Sequence, residues 1–279
     1  MSAYVIDSEL FRDQFSTPEM RAIFDDRRTV QAWLDVEVAL AEVEAELGII
    51  PNEAATAINE VGDAALYDLA QLKLEMDRTS HPIVPLVRAI AEKCPNDLGE
   101  YVHWGATTQD IIDTGMILQI RDAEAGIDAR LATLANVLTE HAITHAATAM
   151  PGRTHGQHAQ PITFGYKAAV WLDEVRRHQT RMDEMRPRLL VGQFGGAVGT
   201  LAALGDQGLT VRANLMAKLE LGEPDITWHT ARDRLVELVS VMAMIAGTCG
   251  KIAHEVYCLQ KTEVQELEEP FPDVKVGSS

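Results

Sequence analysis

The sequence predicts an all-α fold built as a bundle of long helices, and three observations support this prediction. Ala, Leu, Glu and Met are common, while aromatic residues make up only 5% of the chain, which favours helices over sheets. Apolar residues recur at helical spacing over long stretches, and none of these stretches alternates as a strand would. Several predicted helices are too long and too apolar for one compact domain, so we expect copies of the chain to pack together.

The first third of the chain is predicted to form shorter helices. After an irregular start, residues 30–47 show an amphipathic helical pattern that Gly48 and Pro51 end. A polar break at residues 79–82 places Pro82 well for the start of a helix. Further short helices are predicted near residues 53–61, 66–76 and 83–92.

Three long helices are predicted in the rest of the chain, at residues 111–148, 162–185 and 229–268. The last is apolar around most of its circumference, so we expect it to be buried on all sides. A glycine-rich turn, residues 193–199, could cradle an anion. It lacks the Lys and Ser/Thr of a phosphate-binding loop, however, and close helix packing is the favoured interpretation.

Composition excludes several classes of function. A formal net charge of -18 argues against a nucleic-acid partner, although it allows a small anionic substrate in a pocket of different local sign. The three cysteines show no CxxC spacing, which fits a reducing compartment. The first residues do not resemble a signal peptide, and the most apolar stretch, residues 238–250, is shorter than the roughly 20 residues that a bilayer needs. We therefore expect a cytoplasmic protein that does not bind membranes.

A polar run at residues 152–161 lies between two of the long predicted helices. Its two histidines, His155 and His158, stand beside two glycines, a threonine and two amides. Ionisable groups at helix ends inside a hydrophobic protein are typical of sites of proton chemistry. The alternative that both histidines only cap helices or face solvent stays open on spacing alone.

A second polar run, residues 101–110, combines His103, a glycine turn and the hydroxyls of Thr107 and Thr108. Two aspartates follow, of which Asp110 is the first, and they suit the positive end of a helix dipole. The amides and hydroxyls at such a helix start could bind a carboxylate. Plain capping by one of the two threonines is the alternative.

General acid–base catalysis is the chemistry that remains once metal chemistry and acyl transfer are disfavoured. No third ligand with matching spacing accompanies His155 and His158, so neither a metal nor another cofactor is predicted. Acyl transfer is disfavoured because the chain has no GxSxG motif and no reactive cysteine context. Acid–base catalysis needs a histidine of near-neutral pKa, a second proton-transfer group and polar groups for a charged substrate.

Three sequence blocks resemble the fumarase/aspartase superfamily, in the family's order and over essentially the whole length. Residues 103–110, HWGATTQD, are similar to the family's H-x-G-x-T-S-x-D. Residues 152–165 are similar to GRTHxQxAxPxTFG. Residues 277–279, GSS, look like the opening of the mobile GSSxMPxKxNP loop.

The resemblance implies an all-α homotetramer whose central helical bundle is completed by the partner subunits, which also share each active site. It implies reversible β-elimination, or addition, on a substituted succinate or fumarate-type di- or tricarboxylate. A base, Ser278, would remove the proton beside a carboxylate, and an acid, His155, would protonate the leaving group. The substrate-binding residues that it implies are His103, Thr107, Thr108, Gln157 and Ser279.

The resemblance also implies an N-terminal helical domain at residues 1–104 and a central long-helix bundle domain at residues 105–279. The family's loop lysine, which would lower the pKa of a serine base, and its C-terminal domain would lie beyond Ser279. We therefore expect a fragment, or a chain interrupted at a flexible loop, and a fragment is expected to be inactive alone.

Within the superfamily, residues 186–191, 193–205 and 228–237 look like those of 3-carboxy-cis,cis-muconate cycloisomerases. His155, which bacterial cycloisomerases often lack, and residues 259–263 are similar to adenylosuccinate lyases instead. Departures from the nucleotide-binding pattern of those lyases favour the cycloisomerase branch, including a true eliminating lyase within it. An inactive oligomeric scaffold is the alternative of another class.

Overall fold

The computed structural model describes residues 4–270. Ten α-helices and one β-hairpin lie in that range: α1 (Arg12–Phe15), α2 (Pro18–Phe24), α3 (Asp26–Glu46), α4 (Asn52–Glu60), α5 (Leu69–Thr79), α6 (Val84–Lys93), α7 (Thr108–Thr144), β1 (Ala149–Thr154), β2 (Gln157–Thr163), α8 (Phe164–Leu189), α9 (Gly208–Lys218) and α10 (Asp233–Leu259). Short 3₁₀ helices occupy Val5–Asp7, Ala64–Leu66, Asn96–Tyr101 and Ala202–Gln207. The predicted helical fold class is confirmed.

Local chemistry explains where the helices begin. The Oγ1 of Thr17 accepts a hydrogen bond from the backbone N–H of Met20 at 3.3 Å, and Pro18 occupies the first turn of α2. The Oδ1 of Asp25 caps α3 by accepting from the N–H of Arg28 at 2.7 Å. This cap starts α3 before the apolar pattern begins, so the predicted start at residue 30 was late.

The polar run at residues 152–161 forms most of an antiparallel hairpin, which the sequence did not predict. Ala149 pairs with Thr163 and Thr154 pairs with Gln157, with an irregularity in the register after Gly152. The whole hairpin, residues 149–163, contains two prolines and two glycines, which disfavour a helix. Its apolar and polar residues do not alternate, so the sequence pattern did not reveal the strands. The hairpin is an addition to the predicted fold.

The described residues form two compact units. Within residues 4–270, one is built from residues 4–126 and 186–234, and the other from 127–185 and 235–270. In the first unit, the core between α3, α4 and α6 includes Leu34, Ile58, Leu86 and Ile90, each no more than 1% exposed. In the second unit, α8 and α10 are joined by a hydrogen bond of 2.8 Å between His178 Nε2 and Thr248 Oγ1. The domain boundary at residues 104/105 stays a prediction.

Helix α10 departs from the sequence prediction in length. It ends at Leu259, well before residue 268. In the single chain Val236 is 61% and Val239 is 66% exposed, so burial of α10 on all sides, which was expected from packing against copies of the chain, stays a prediction. Its length and composition alone would allow it to cross a membrane, a property that core helices of soluble proteins share.

Candidate active site

The start of α7 is tied to the loop before it. The backbone N–H of Thr107 donates to Asp110 Oδ2 at 3.0 Å, so that the aspartate side chain closes the first turn. Gly105 has a φ of +69°, and a Cβ at this position would come within 2.7 Å of Leu204. The loop can therefore take its path only with glycine at this position.

Asp110 is a fully buried carboxylate held by the glycine-rich turn. Its Oδ1 accepts from the N–H of Gly195 and its Oδ2 from the N–H of Gly196, both at 2.9 Å. Gln193 Nε2 donates to Oδ1 at 3.2 Å. Close packing was the favoured interpretation of this turn, and a Cβ on Gly195 would indeed lie 2.8 Å from Thr227. The turn also binds an anion, which was the less favoured interpretation, and this anion is the carboxylate of Asp110.

His229 completes the surroundings of Asp110. Its Nε2 lies 2.7 Å from Asp110 Oδ1, and its side chain is 17% exposed. Because the carboxylate already accepts from several N–H groups, the imidazole must donate from Nε2 to it. The guanidinium of Arg232 donates to the carbonyl oxygen of His229 at 2.6 Å and to Asp113 Oδ1 at 2.8 Å.

His81 contacts the predicted substrate-binding residue Thr108. The N–H of Val84 donates to His81 Nδ1 at 3.3 Å, which makes Nδ1 an acceptor and places the ring proton on Nε2. His81 Nε2 lies 3.2 Å from Thr108 Oγ1. The threonine hydroxyl can thus accept from His81 and donate its own proton to a bound carboxylate.

His103 is paired with a buried carboxylate on α3. Its Nδ1 lies 2.6 Å from Glu37 Oε1, and the glutamate side chain is 1% exposed. Burial alone would lower the pKa of His103. The hydrogen bond and charge of Glu37, together with the charge of Asp110, outweigh burial and raise the pKa above its ordinary value. His103 also has a φ of +62°, an uncommon conformation for a residue other than glycine.

In the second unit, His155 lies at the tip of the hairpin. His155 has a φ of +51° and Gly156 a φ of +74°, and two consecutive positive φ values are typical of type I′ hairpin turns. His155 and Gln157 are exposed to solvent in the single chain. The turn explains why a glycine follows the histidine, and it directs the imidazole away from the strands' own core.

The base of the hairpin is fastened by Arg153. Its guanidinium binds both carboxylate oxygens of Glu266, at 2.8 and 2.5 Å. The hydrogen bond between them raises the pKa of Arg153 and lowers that of Glu266. Arg153 Nη2 also lies 3.3 Å from His158 Nε2, which accepts a hydrogen bond from the guanidinium. Of the two histidines in the polar run, His158 is thus an anchoring residue.

The structure places the predicted site residues in two groups. His103, Thr107 and Thr108 come together at the start of α7, whereas His155 and Gln157 lie on the hairpin of the other unit. Ser278 and Ser279 lie outside the described residues. Among residues 4–270, no cluster of three or more His, Cys, Asp or Glu side chains stands in a geometry that would hold a metal ion.

Three further residues contribute to the group at the start of α7, namely His81, His229 and Glu37. The sequence analysis assigned none of them to the site, because each meets the site only through the tertiary fold. Ser80, next to His81, has a positive φ, and the sequence does not reveal this uncommon backbone conformation. His81 places an N–H donor against the hydroxyl of Thr108 at the helix start, which is an arrangement suited to a carboxylate.

Known proteins are similar to this chain in sequence and in structure. The profile of a family described as lyase matches residues 12–279. N-acetyl-S-(2-succino)cysteine lyase of Dickeya dadantii is 42% identical over 279 residues, which are 100% of this chain and 61% of that protein. 3-Carboxy-cis,cis-muconate cycloisomerase of Pseudomonas aeruginosa is 45% identical over 275 residues, 98% of this chain and 60% of that protein.

A solved structure is similar as well. The 3-carboxy-cis,cis-muconate lactonizing enzyme from Pseudomonas putida superposes with a TM-score of 0.92 at 43% identity, covering 96% of this chain and 62% of that chain. The chain therefore spans about 61% of the length of the first of these relatives.

Proposed function

Because the chain belongs to the lyase family of the fumarase/aspartase superfamily, we propose that the protein catalyses reversible β-elimination or addition on a substituted succinate or fumarate-type carboxylate. The reaction most resembles that of a 3-carboxy-cis,cis-muconate cycloisomerase. One observation carries the proposal: the hydroxyls of Thr107 and Thr108 stand at the start of α7, where His81 contacts Thr108 and the charge of Asp110 acts on His103.

In this proposal, a base removes the proton next to a substrate carboxylate, and the negative charge spreads into that carboxylate. N–H and O–H donors at the start of α7 are stronger ligands for the resulting dianion than for the ground state, which lowers the barrier. Thr107, Thr108 and His103 fill this role. Ser278 is the proposed base, with Ser279 and Gln157 as further substrate ligands.

His155 is the proposed acid that protonates the leaving group. An imidazole suits that task near pH 7, because the ordinary pKa of histidine lies close to neutrality. Its exposed position on a tight turn supports a role in a site that is closed by other chain segments. Such a site would be shared between subunits.

A homotetramer is part of the same proposal. Helix α10 exposes apolar side chains along much of its length, and exposed apolar surfaces of this kind mark places where proteins associate. The exposed set includes Val236, Val239, Met244 and Tyr257. Packing of α10 against its copies would bury them, as expected for a central helical bundle in a cytoplasmic enzyme.

Elimination without ring closure is the second candidate function, as in C–S or C–N lyases. The similarity to N-acetyl-S-(2-succino)cysteine lyase and the presence of His155 favour it. An adenylosuccinate lyase-type reaction falls in the same class.

A panel of three substrates tests both candidates. 3-Carboxy-cis,cis-muconate, N-acetyl-S-(2-succino)cysteine and adenylosuccinate are each incubated with the full-length protein, which is also used in the kinetic assays below, and the formation or loss of the conjugated enoate is followed by ultraviolet absorbance. Turnover of the first supports cycloisomerisation, and turnover of either of the others supports elimination. No turnover of any of the three would favour the scaffold alternative.

A further inference from the structure

Helix α3 carries two buried glutamates, Glu37 and Glu44, which lie about two turns apart on the same side of the helix. Both oxygens of Glu44 lack a hydrogen-bond partner among the described residues. Burial, together with the charge of Glu37, raises the pKa of Glu44 to about 8, which makes it a neutral acid at pH 7. Glu37 differs from Glu44 in that its Oε1 has a hydrogen-bond partner, although its Oε2 has none among the described residues.

The partner of Glu37 is His103, which is 66 residues away in sequence. The bond of 2.6 Å between His103 Nδ1 and Glu37 Oε1 is short, as is usual when both groups are charged. The side chain of His103 is 20% exposed and that of Glu37 is 1% exposed, so the imidazole lies nearer the solvent. Because Nδ1–H is engaged by Glu37, Nε2–H remains as the donor that a ligand can use.

The charged groups around His103 all have the sign that favours an imidazolium. Glu37 faces it from α3, and Asp110 acts on it from the first turn of α7. Glu44, the other buried glutamate of α3, has its pKa raised in part by the charge of Glu37 and is neutral at pH 7.

We infer that Glu37 is a positioning residue that holds His103 as an imidazolium, so that the site keeps a fixed positive charge and an Nε2–H donor for a substrate carboxylate. This role matters in a chain of net charge -18, since an anionic substrate needs a local cation. The inference rests on the proposed function, in which the start of α7 binds carboxylates. It adds a residue that no motif of the sequence marks.

The first test measures the charge of His103 directly and does not depend on turnover. Histidine-labelled protein is titrated by nuclear magnetic resonance, and His103→Gln identifies its signal among the nine histidines. In the unaltered protein, we expect the pKa of His103 to lie above the ordinary value of a histidine. In Glu37→Gln, which keeps the shape and loses the charge, we expect its pKa to fall by at least about one unit.

Glu44→Gln is the matched control, since it also changes a buried glutamate of α3 but does not contact His103. We expect it to leave the pKa of His103 within about 0.3 units of the unaltered value, within the usual spread of such shifts. If His103 of the unaltered protein titrates at or below its ordinary value, the inference is wrong, whether or not Glu37→Gln folds. Equal shifts in the two variants would also contradict it.

The second test separates binding from chemistry. On the substrate that the protein turns over, Glu37→Gln should raise KM about tenfold at pH 8 and leave kcat within about threefold of the unaltered value. Near pH 6, where His103 is protonated in both proteins, the two KM values should be similar. In a His103→Gln background, Glu37→Gln should add no further change in KM. A drop in kcat at unchanged KM would overturn the inference. Absence of turnover in the unaltered protein would instead count against the proposed function, while the titration still decides the charge of His103.

Discussion

Glu44 makes the stability of the protein depend on pH. Its carboxyl group is fully buried, and its pKa rises from 4.5 to about 8. Between these values, the folded protein keeps the proton that the unfolded chain releases, so raising the pH favours unfolding. Each pKa unit is worth about 1.36 kcal/mol, which gives a total loss of at most about 5 kcal/mol from pH 4.5 to 8. Local relaxation around the charged form will reduce this value.

Glu44→Gln removes this dependence, because a glutamine has the shape of the neutral acid and cannot ionise. The free energy of unfolding, measured in urea from pH 4.5 to 9, should be similar for the two proteins at the acidic end. The variant should be more stable by several kcal/mol, on the order of 2–4, above pH 8. Glu60→Gln, at an exposed position on α4, serves as the control and should follow the unaltered protein. Parallel curves for Glu44→Gln and the unaltered protein would refute the argument.

Three further changes probe the site. Asp110→Asn should cost about 3–5 kcal/mol of unfolding free energy in urea, since its amide group would face N–H donors of the glycine turn. Gly196→Ala should lower stability by about 1–3 kcal/mol in calorimetry, because its φ is +69° and a Cβ would lie 3.0 Å from the carbonyl oxygen of Gly105. Arg153→Gln should cost only about 1 kcal/mol, as expected for a half-buried ion pair, yet lower kcat in the absorbance assay by loosening the hairpin. Stability losses in a different order would contradict these assignments.

The helices could be predicted from sequence because their apolar spacing is a local property. The first and last residues of the helices were predicted less accurately, as α3 and α10 show. Caps and helix ends depend on single side chains and on tertiary contacts. The hairpin was missed because its strands lie mostly at the surface and carry no alternation of apolar and polar residues.

The candidate site was predicted in part, and for a clear reason. Motif blocks marked His103, Thr107, Thr108 and His155, whose residue types and spacing are visible in sequence. Glu37 stands within an apolar helical stripe, where its neighbours suggest only core packing. His81 and His229 reach the start of α7 through side-chain contacts across large sequence separations, which spacing along the chain does not encode.

The burial of α10 shows another limit of a single sequence. Its apolar circumference correctly indicates a need for burial, but the single chain leaves most of it exposed. The association of copies that would satisfy this need is proposed above. A measurement of molar mass in solution, with Val239→Glu as a variant expected to dissociate the assembly, tests it.

The most direct test of the proposed acid–base reaction compares the unaltered protein with His155→Asn in the absorbance assay. Asparagine tolerates the positive φ of this turn, so the hairpin should keep its stability while the acid is lost. We expect kcat to fall by about 10²-fold or more with little change in Tm. A variant that retains full kcat would contradict the role of His155 and, with it, the proposed reaction.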